Sequence, residues 1–190
     1  MFEKNNKPID GCMSLGREKV VTMNFHHFSD DHKVIFLLGL SEKVLSIFSR
    51  EENRLAAQQA LGLCWQWLEE KESMGETLYN LLDNEESGIT TIQEMSADDT
   101  EISAWNCMID AVAYTSRKAF EREGVAYYPE PIALVDDTLV NHFIECFEEA
   151  IVDAPYYIQQ VISILNKSAK GNGIKELRTE ILSELQILSK

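Results

Sequence analysis

Residues 60–72 read ALGLCWQWLEEKE, and they decide the architecture because Trp65 and Trp67 stand two positions apart in a helical pattern. Side chains two positions apart on a helix point about 200° from each other, so the two indoles cannot share one face. The apolar residues form two adjacent stripes on a helical wheel: Ala57, Leu61, Cys64, Trp65 and Leu68, and then Ala56, Ala60, Leu63 and Trp67. Together the stripes cover about 200°, which is wider than the face of a surface helix. We therefore predict a helix over about 51–70 that is buried on two sides, with each tryptophan packed against a different neighbour.

Helical periodicity extends over most of the remaining chain. Ser29 or Asp30 can cap a first helix that runs to about Phe48, and Asp98 with Glu101 forms a capping-box pattern before a helix that Gly124 ends. Further helices are predicted over about 76–82, after Asp136 or Asp137 as cap, from about 153 to 165, and from about 174 to 188. No alternating segment indicates a strand. The sequence predicts an all-α, single-domain bundle of about six to eight helices, with Trp65, Trp67 and Trp105 in its core.

The chain divides into a short leader and one helical domain. Residues 1–22 lack sustained periodicity and are predicted to be a loosely ordered leader, and residues 23–190 a single helical domain. No apolar run approaches the roughly 18 residues that a membrane-spanning helix needs, and the first 25 residues lack the apolar region of a signal peptide. These features predict a cytoplasmic protein.

The charge is strongly negative and unevenly distributed. The net charge is −15 over 190 residues, whereas residues 51–153 alone hold 23 acids and five bases, a local net charge of −18. Such a field repels nucleic acid and anionic membranes and speeds association with basic partners. The alternative interpretation is that these acids are solvated helix surfaces that keep the protein in solution.

No motif predicts a catalytic, cofactor or metal site. The four cysteines stand singly, and three of them lie among apolar residues, which favours buried thiols. GCMSLGRE at 11–18 has the glycine spacing of a phosphate loop but lacks its lysine and hydroxyl. HHFSDDH at 26–32 does not place its ligands on one helical face, and no serine or cysteine nucleophile motif occurs. We therefore predict a protein that is not an enzyme and that uses neither a cofactor nor a metal.

The remaining candidate is a partner-binding surface built from acids and tyrosines in the connections. Loops on a rigid scaffold often carry recognition, and tyrosine is a frequent energetic anchor. The alternative is that Tyr127 and Tyr128 pack down onto the bundle. The predicted partner-binding residues are Asp83, Glu85, Glu86, Glu94, Asp98, Asp99, Tyr127, Tyr128, Glu130, Asp136 and Asp137.

The segments ALGLCWQWLEEKE, LYNLLDNEE and AWNCMIDAVAYTSRKAFE, followed by a long loop, resemble a family of all-α immunity proteins. Its members are encoded beside toxins in bacterial polymorphic toxin and contact-dependent inhibition systems. The resemblance spans about residues 55–147 and implies that the protein neutralises a cognate toxin domain by binding it. A basic toxin would fit the acidic surface. The alternative is an acidic helical adaptor or chaperone-like protein, and the oligomeric state is left open.

Overall fold

The structure, a computed structural model, describes residues 25–84, 88–168 and 173–187, without the side chain of His26. Helices are the regular secondary structure of these ranges, joined by turns and short connections. No strand occurs in these ranges, which confirms the predicted fold class. The leader predicted for residues 1–22 lies outside them, as do Glu85 and Glu86. Within the described ranges, a short 3₁₀ helix, Phe25–His27, precedes nine α-helices: α1 (Asp30–Val44), α2 (Glu51–Glu70), α3 (Gly75–Leu82), α4 (Ile89–Glu94), α5 (Asp99–Glu123), α6 (Glu130–Ala133), α7 (Leu139–Ala150), α8 (Ala154–Lys167) and α9 (Ile174–Glu184).

Polar side chains cap the N-termini of α1 and α5. The Ser29 hydroxyl accepts a hydrogen bond from the His32 backbone N–H at the start of α1, and the Asp98 carboxylate accepts one from the Glu101 N–H at the start of α5. Gly124 ends α5 in the left-handed region with a φ of 67°. These three boundaries agree with the sequence pattern because each depends on local chemistry.

The longest helix, α5, is the centre of the bundle. It packs against α1, α2, α3, α4, α6 and α7. Trp105 in its second turn is fully buried, and its ring lies 4.3 Å from that of Phe48, centroid to centroid. At 1.5 Å per residue, the 25 residues of α5 separate its two ends by about 36 Å.

Both tryptophans of α2 are buried, at 1% exposed for Trp65 and 2% for Trp67. The Trp65 indole N–H donates to Glu42 of α1 at 3.0 Å, and Arg178 of α9 binds the same carboxylate while lying over the Trp65 ring. The Trp67 ring is instead covered by the ammonium of Lys71, 4.0 Å from its centroid. The two indoles therefore contact different groups, and α2 is enclosed by α1, α3, α4, α5 and α9.

The structure departs from the predicted boundaries in three places. Helix α1 ends at Val44 rather than near residue 48, because the chain turns there so that Phe48 can reach Trp105. Two short helices, α4 and α6, form where connections were predicted, and each is anchored by one buried isoleucine, Ile89 and Ile132. Neither Asp136 nor Asp137 is the N-cap of α7, since the helix begins after Thr138.

Candidate functional site: two ends of the central helix

The predicted partner-binding residues lie in two groups that the length of α5 keeps apart. The first group is Asp83, Glu94, Asp98 and Asp99, and the second group is Tyr127, Tyr128, Glu130, Asp136 and Asp137. Asp98 and Asp99 stand where α5 begins, whereas the second group follows the end of α5 in the chain and packs back against its C-terminal half, where the Tyr114 hydroxyl donates to Asp137. Tyr114 is 15 residues after Asp99, about 22 Å along the axis at 1.5 Å per residue. Glu85 and Glu86 are outside the described residues. Asp98 and Asp99 therefore do not belong to the same cluster as the second group.

Asp136 and Asp137 of the second group line a cleft of about 350 Å³ in which other acids and bases are paired. The Asp137 carboxylate lies 2.7 Å from the ammonium of Lys33, whose side chain is buried, and accepts a hydrogen bond from the Tyr114 hydroxyl at 2.8 Å. Burial raises the pKa of Asp137, but the hydrogen bonds from Lys33 and Tyr114 outweigh it, so the pKa is lowered overall. Asp137 therefore belongs to an ion pair that stabilises the fold.

Two further bases neutralise acids on the same cleft. Lys118 lies 2.9 Å from Glu121 and 3.4 Å from Asp30, and Arg117 lies 2.7 Å from Glu121. Glu130 is exposed in the first turn of α6, and Asp136 is exposed and accepts hydrogen bonds from Thr138. Asp137 and Glu121 thus meet positive charge that belongs to the protein itself, whereas Glu130 and Asp136 form no ion pair among the described residues.

The two tyrosines of the second group differ in their environment. Tyr128 is half-buried, with its ring against Phe120 and with the guanidinium of Arg117 4.2 Å from its centroid. Tyr127 is 89% exposed. Tyr128 therefore packs onto the bundle, as the alternative interpretation predicts, whereas Tyr127 is presented to solvent.

The four acids of the first group are all exposed. Asp83 ends α3 and accepts a hydrogen bond from Tyr79, and Asp98 caps α5. Glu94 ends α4, which is tied to α5 by the side-chain hydrogen bond from Gln93 to Asn106 at 3.1 Å. Among the described residues, no lysine or arginine forms an ion pair with any of these four acids. Their charge is therefore available to a partner.

A groove opens beside Asp99, between the start of α5, the end of α7 and the start of α8. Its volume is about 1080 Å³, and no lysine or arginine is among the described residues that line it. We call it the acidic groove. It is lined by five acids, Asp99, Glu145, Glu148, Glu149 and Asp153, by the polar residues Thr100, Ser103 and Asn106, and by the apolar residues Ile102, Ile151, Val152, Ala154 and Pro155.

The corner between α7 and α8 shapes the apolar part of the acidic groove. Ile151 is buried and Val152 is 85% exposed, so the chain turns outward between them. Asp153 adopts a left-handed conformation with a φ of 61°, which costs roughly 1 kcal/mol or more for a residue with a β-carbon. Pro155 then sits in the first turn of α8, where its fixed φ suits a helix. The corner therefore holds Val152 out in the groove.

Sequence reasoning missed four of the five acids in the acidic groove. Glu148 and Glu149 are adjacent on a helix, which is typical of solvated charges, and Glu145 and Asp153 lie outside the loops chosen as candidates. The available signal was the i, i+4 spacing of Glu145 and Glu149, which places both acids on one face of α7. This spacing alone does not predict a groove, because residues of α5 and α8 form the other walls.

A Cys–His–Asp row lies further along the contact between α5 and α7. His142 Nδ1 is 2.7 Å from the buried carboxylate of Asp110, and His142 Nε2 is 3.7 Å from Cys146 Sγ. Burial raises the pKa of Asp110 to about 6, although its hydrogen bond to His142 opposes the rise. Burial, and then the carboxylates of Asp110 and Glu149, raise the pKa of Cys146 to about 11. The thiol is therefore protonated at neutral pH and lacks the thiolate that nucleophilic chemistry requires.

No group of three or more histidine, cysteine, aspartate or glutamate side chains is placed to hold a metal in the part of the chain that the structure describes. In that same part, no helix combines the length and apolarity required to cross a bilayer.

Comparison with known proteins identifies the family. The family model described as Immunity protein Imm6 matches residues 32–150, which run from α1 to the end of α7 and include four of the five acids of the acidic groove. No curated protein and no solved structure matches the chain. Since the matched region covers more than half of the 190 residues, the chain belongs to the Immunity protein Imm6 family.

Proposed function

We propose that this immunity protein neutralises a cognate bacterial toxin domain by binding it directly, without catalysing a reaction, and that it does so in the cytoplasm. The observation that carries the proposal is the accumulation of acids around the N-terminal end of α5. Exposed Asp98 and Asp99 form no ion pair with a described lysine or arginine, and Glu145, Glu149 and Asp153 of the acidic groove lie beside them. Membership in the Imm6 family supports a toxin as the partner, and the negative charge at this end supports a basic one.

The proposed toxin domain is basic. A protein with a net charge of −15 attracts a positively charged partner over distances of about a Debye length, near 10 Å at 0.1 M salt. Toxins that act on nucleic acid carry cationic groups for phosphates, and carboxylates can occupy those groups. Glu85 and Glu86, which lie in the same connection as Asp83, belong to the proposed steering surface on the strength of the sequence.

We assign the second group a lesser part in the proposed interface. Asp137 is engaged with Lys33, and the neighbouring Glu121 with Arg117 and Lys118, so a basic toxin would have to compete with bases already in place. Exposed Tyr127 can anchor a partner, while Tyr128 supports the bundle. Glu130 and Asp136 add exposed charge at this end.

The proposal is tested by co-expressing the protein with the C-terminal domain encoded by the gene immediately upstream. We expect the cells to survive and the two proteins to co-purify at low salt, with less complex recovered at high salt because surface charges are screened. Survival without a complex would contradict direct binding and indicate an indirect antidote. Absence of rescue would contradict neutralisation of that toxin and favour the acidic adaptor.

A further inference from the structure

We infer that the acidic groove is the docking site for a segment of the toxin that carries an apolar side chain between lysines or arginines. The inference rests on the proposed function for the identity of the partner. It goes further in assigning the contact to the α7–α8 corner and to acids that the sequence does not single out.

Val152 is the exposed apolar residue of the proposed docking site. A single exposed valine is ordinary on a protein surface. Val152, however, is 85% exposed inside a groove whose lining also includes Ile102, Ile151 and Pro155. The left-handed turn at Asp153 holds it there, and the backbone hydrogen bonds from Ile151 to Phe147 and from Tyr156 to Asp153 fix both sides of the turn. Apolar area within such a concave site favours an apolar side chain from a partner.

The charge of the groove defines what must flank that apolar side chain. Asp99 lies on α5, Glu145 and Glu149 on α7, and Asp153 on the corner, so carboxylates face the groove from several elements. The Ser103 hydroxyl donates a hydrogen bond to Glu149 at 2.8 Å, which orients one of them across the α5–α7 contact. A cleft lined by one sign of charge concentrates the field. No lysine or arginine is among the described residues of the lining, so we expect the partner to supply the cations.

The cleft beside the C-terminal half of α5, which Asp136 and Asp137 line, differs from the acidic groove in charge and in size. Its lining combines acids with Arg117 and Lys118, and its volume is about one third of that of the acidic groove, 350 against 1080 Å³. Leu134 near that end is 80% exposed, almost as much as Val152. Exposed aliphatic area is thus present at both ends, whereas Arg117 and Lys118 line the cleft near Leu134 and no described lysine or arginine lines the groove around Val152.

The two features of the groove act on different rates of binding. Carboxylates steer the encounter and set the association rate and its salt dependence, whereas a desolvated apolar contact sets mainly the dissociation rate. Neutralising the acids and blocking the valine should therefore have separable effects on the same complex.

The test measures association and dissociation rates of the full chain with the upstream-encoded toxin domain at low and high salt. We expect Val152→Arg to raise the dissociation constant at least about 30-fold, chiefly through faster dissociation, since a buried side chain at an interface centre is worth about that much. The matched control Leu134→Arg adds the same charge at a similarly exposed position and should change the constant by less than about threefold. Val152→Ser provides a second variant if the arginine disturbs folding.

The charged residues are tested with Glu145→Gln/Glu149→Gln. This double variant should slow association about tenfold at low salt and flatten its salt dependence, while Glu130→Gln/Asp136→Asn, with the same change of charge at the other end of α5, should do so weakly. Equal effects of Val152→Arg and Leu134→Arg, or of the two double variants, would overturn the groove as the docking site while leaving the toxin as partner. No binding of the unmodified chain would overturn the proposed function together with this inference.

Discussion

Replacing Trp65 with alanine is expected to lower the free energy of unfolding by about 3–5 kcal/mol, the usual cost of removing a buried large aromatic side chain. The indole is 1% exposed, and its N–H donates to Glu42. The substitution would leave a cavity between α1, α2 and α9 and would also remove the ring under Arg178. Urea denaturation followed by circular dichroism measures the loss directly.

Trp67→Ala should cost a similar amount, because this indole is equally buried although its N–H finds no acceptor among the described residues. Leu55→Ala provides the control in the same helix, since Leu55 is 54% exposed and its loss should change stability by less than about 1 kcal/mol. A stable Trp65→Ala or Trp67→Ala variant that no longer binds the toxin would contradict the structural role of the tryptophans and indicate a displayed contact.

Asp137→Ala is expected to destabilise the protein by about 2 kcal/mol at neutral pH. Removing one partner of a buried ion pair commonly costs 3–5 kcal/mol, and we reduce that value because Asp137 is itself 45% exposed. Lys33, with its side chain 7% exposed, would keep only Asp30 at 3.9 Å, and the Tyr114 hydroxyl would lose its acceptor. The measurement is again the free energy of unfolding in urea.

The matched control for this prediction is Asp136→Ala, which removes the same charge from the neighbouring residue. Asp136 is exposed and accepts only from Thr138 within its own turn, so the expected loss is about 1 kcal/mol or less. The pKa of Asp137 is lowered in the folded state, so its contribution is present above the unfolded value near 4 and is lost as the pH falls through the folded value. The Asp137→Ala protein and the unmodified protein should therefore converge in stability as the pH falls from about 4 through the lower folded value, and a difference that grew in acid would contradict this ion pair.

Most of the fold could be predicted because local chemistry determines it. The spacing of apolar residues around Trp65 follows one helix, and the caps at Ser29 and Asp98 and the stop at Gly124 each involve at most a few adjacent residues. The short helices α4 and α6 could not be predicted, since each is too short to form alone and depends on one isoleucine that becomes buried only when the helices pack together.

The candidate site could be predicted only in part, because charge is visible in a sequence and pairing is not. Asp98 and Asp137 are equivalent acids in loops of the printed sequence, yet one caps a helix in solvent and the other pairs with Lys33, 104 residues away. Glu149 resembles a solvated helix residue until Ser103 from another helix meets it. The assignment of the groove therefore required the arrangement of α5, α7 and α8.

Amide hydrogen exchange of the protein alone and in complex with the upstream-encoded toxin domain tests most directly whether the acidic groove is the interface. We expect slower exchange on binding at the start of α5, over about residues 99–106, and across the α7–α8 corner, over about residues 145–156, with a smaller change over residues 127–137. Slower exchange confined to residues 127–137 would contradict this expectation and would place the interface at the opposite end of the central helix.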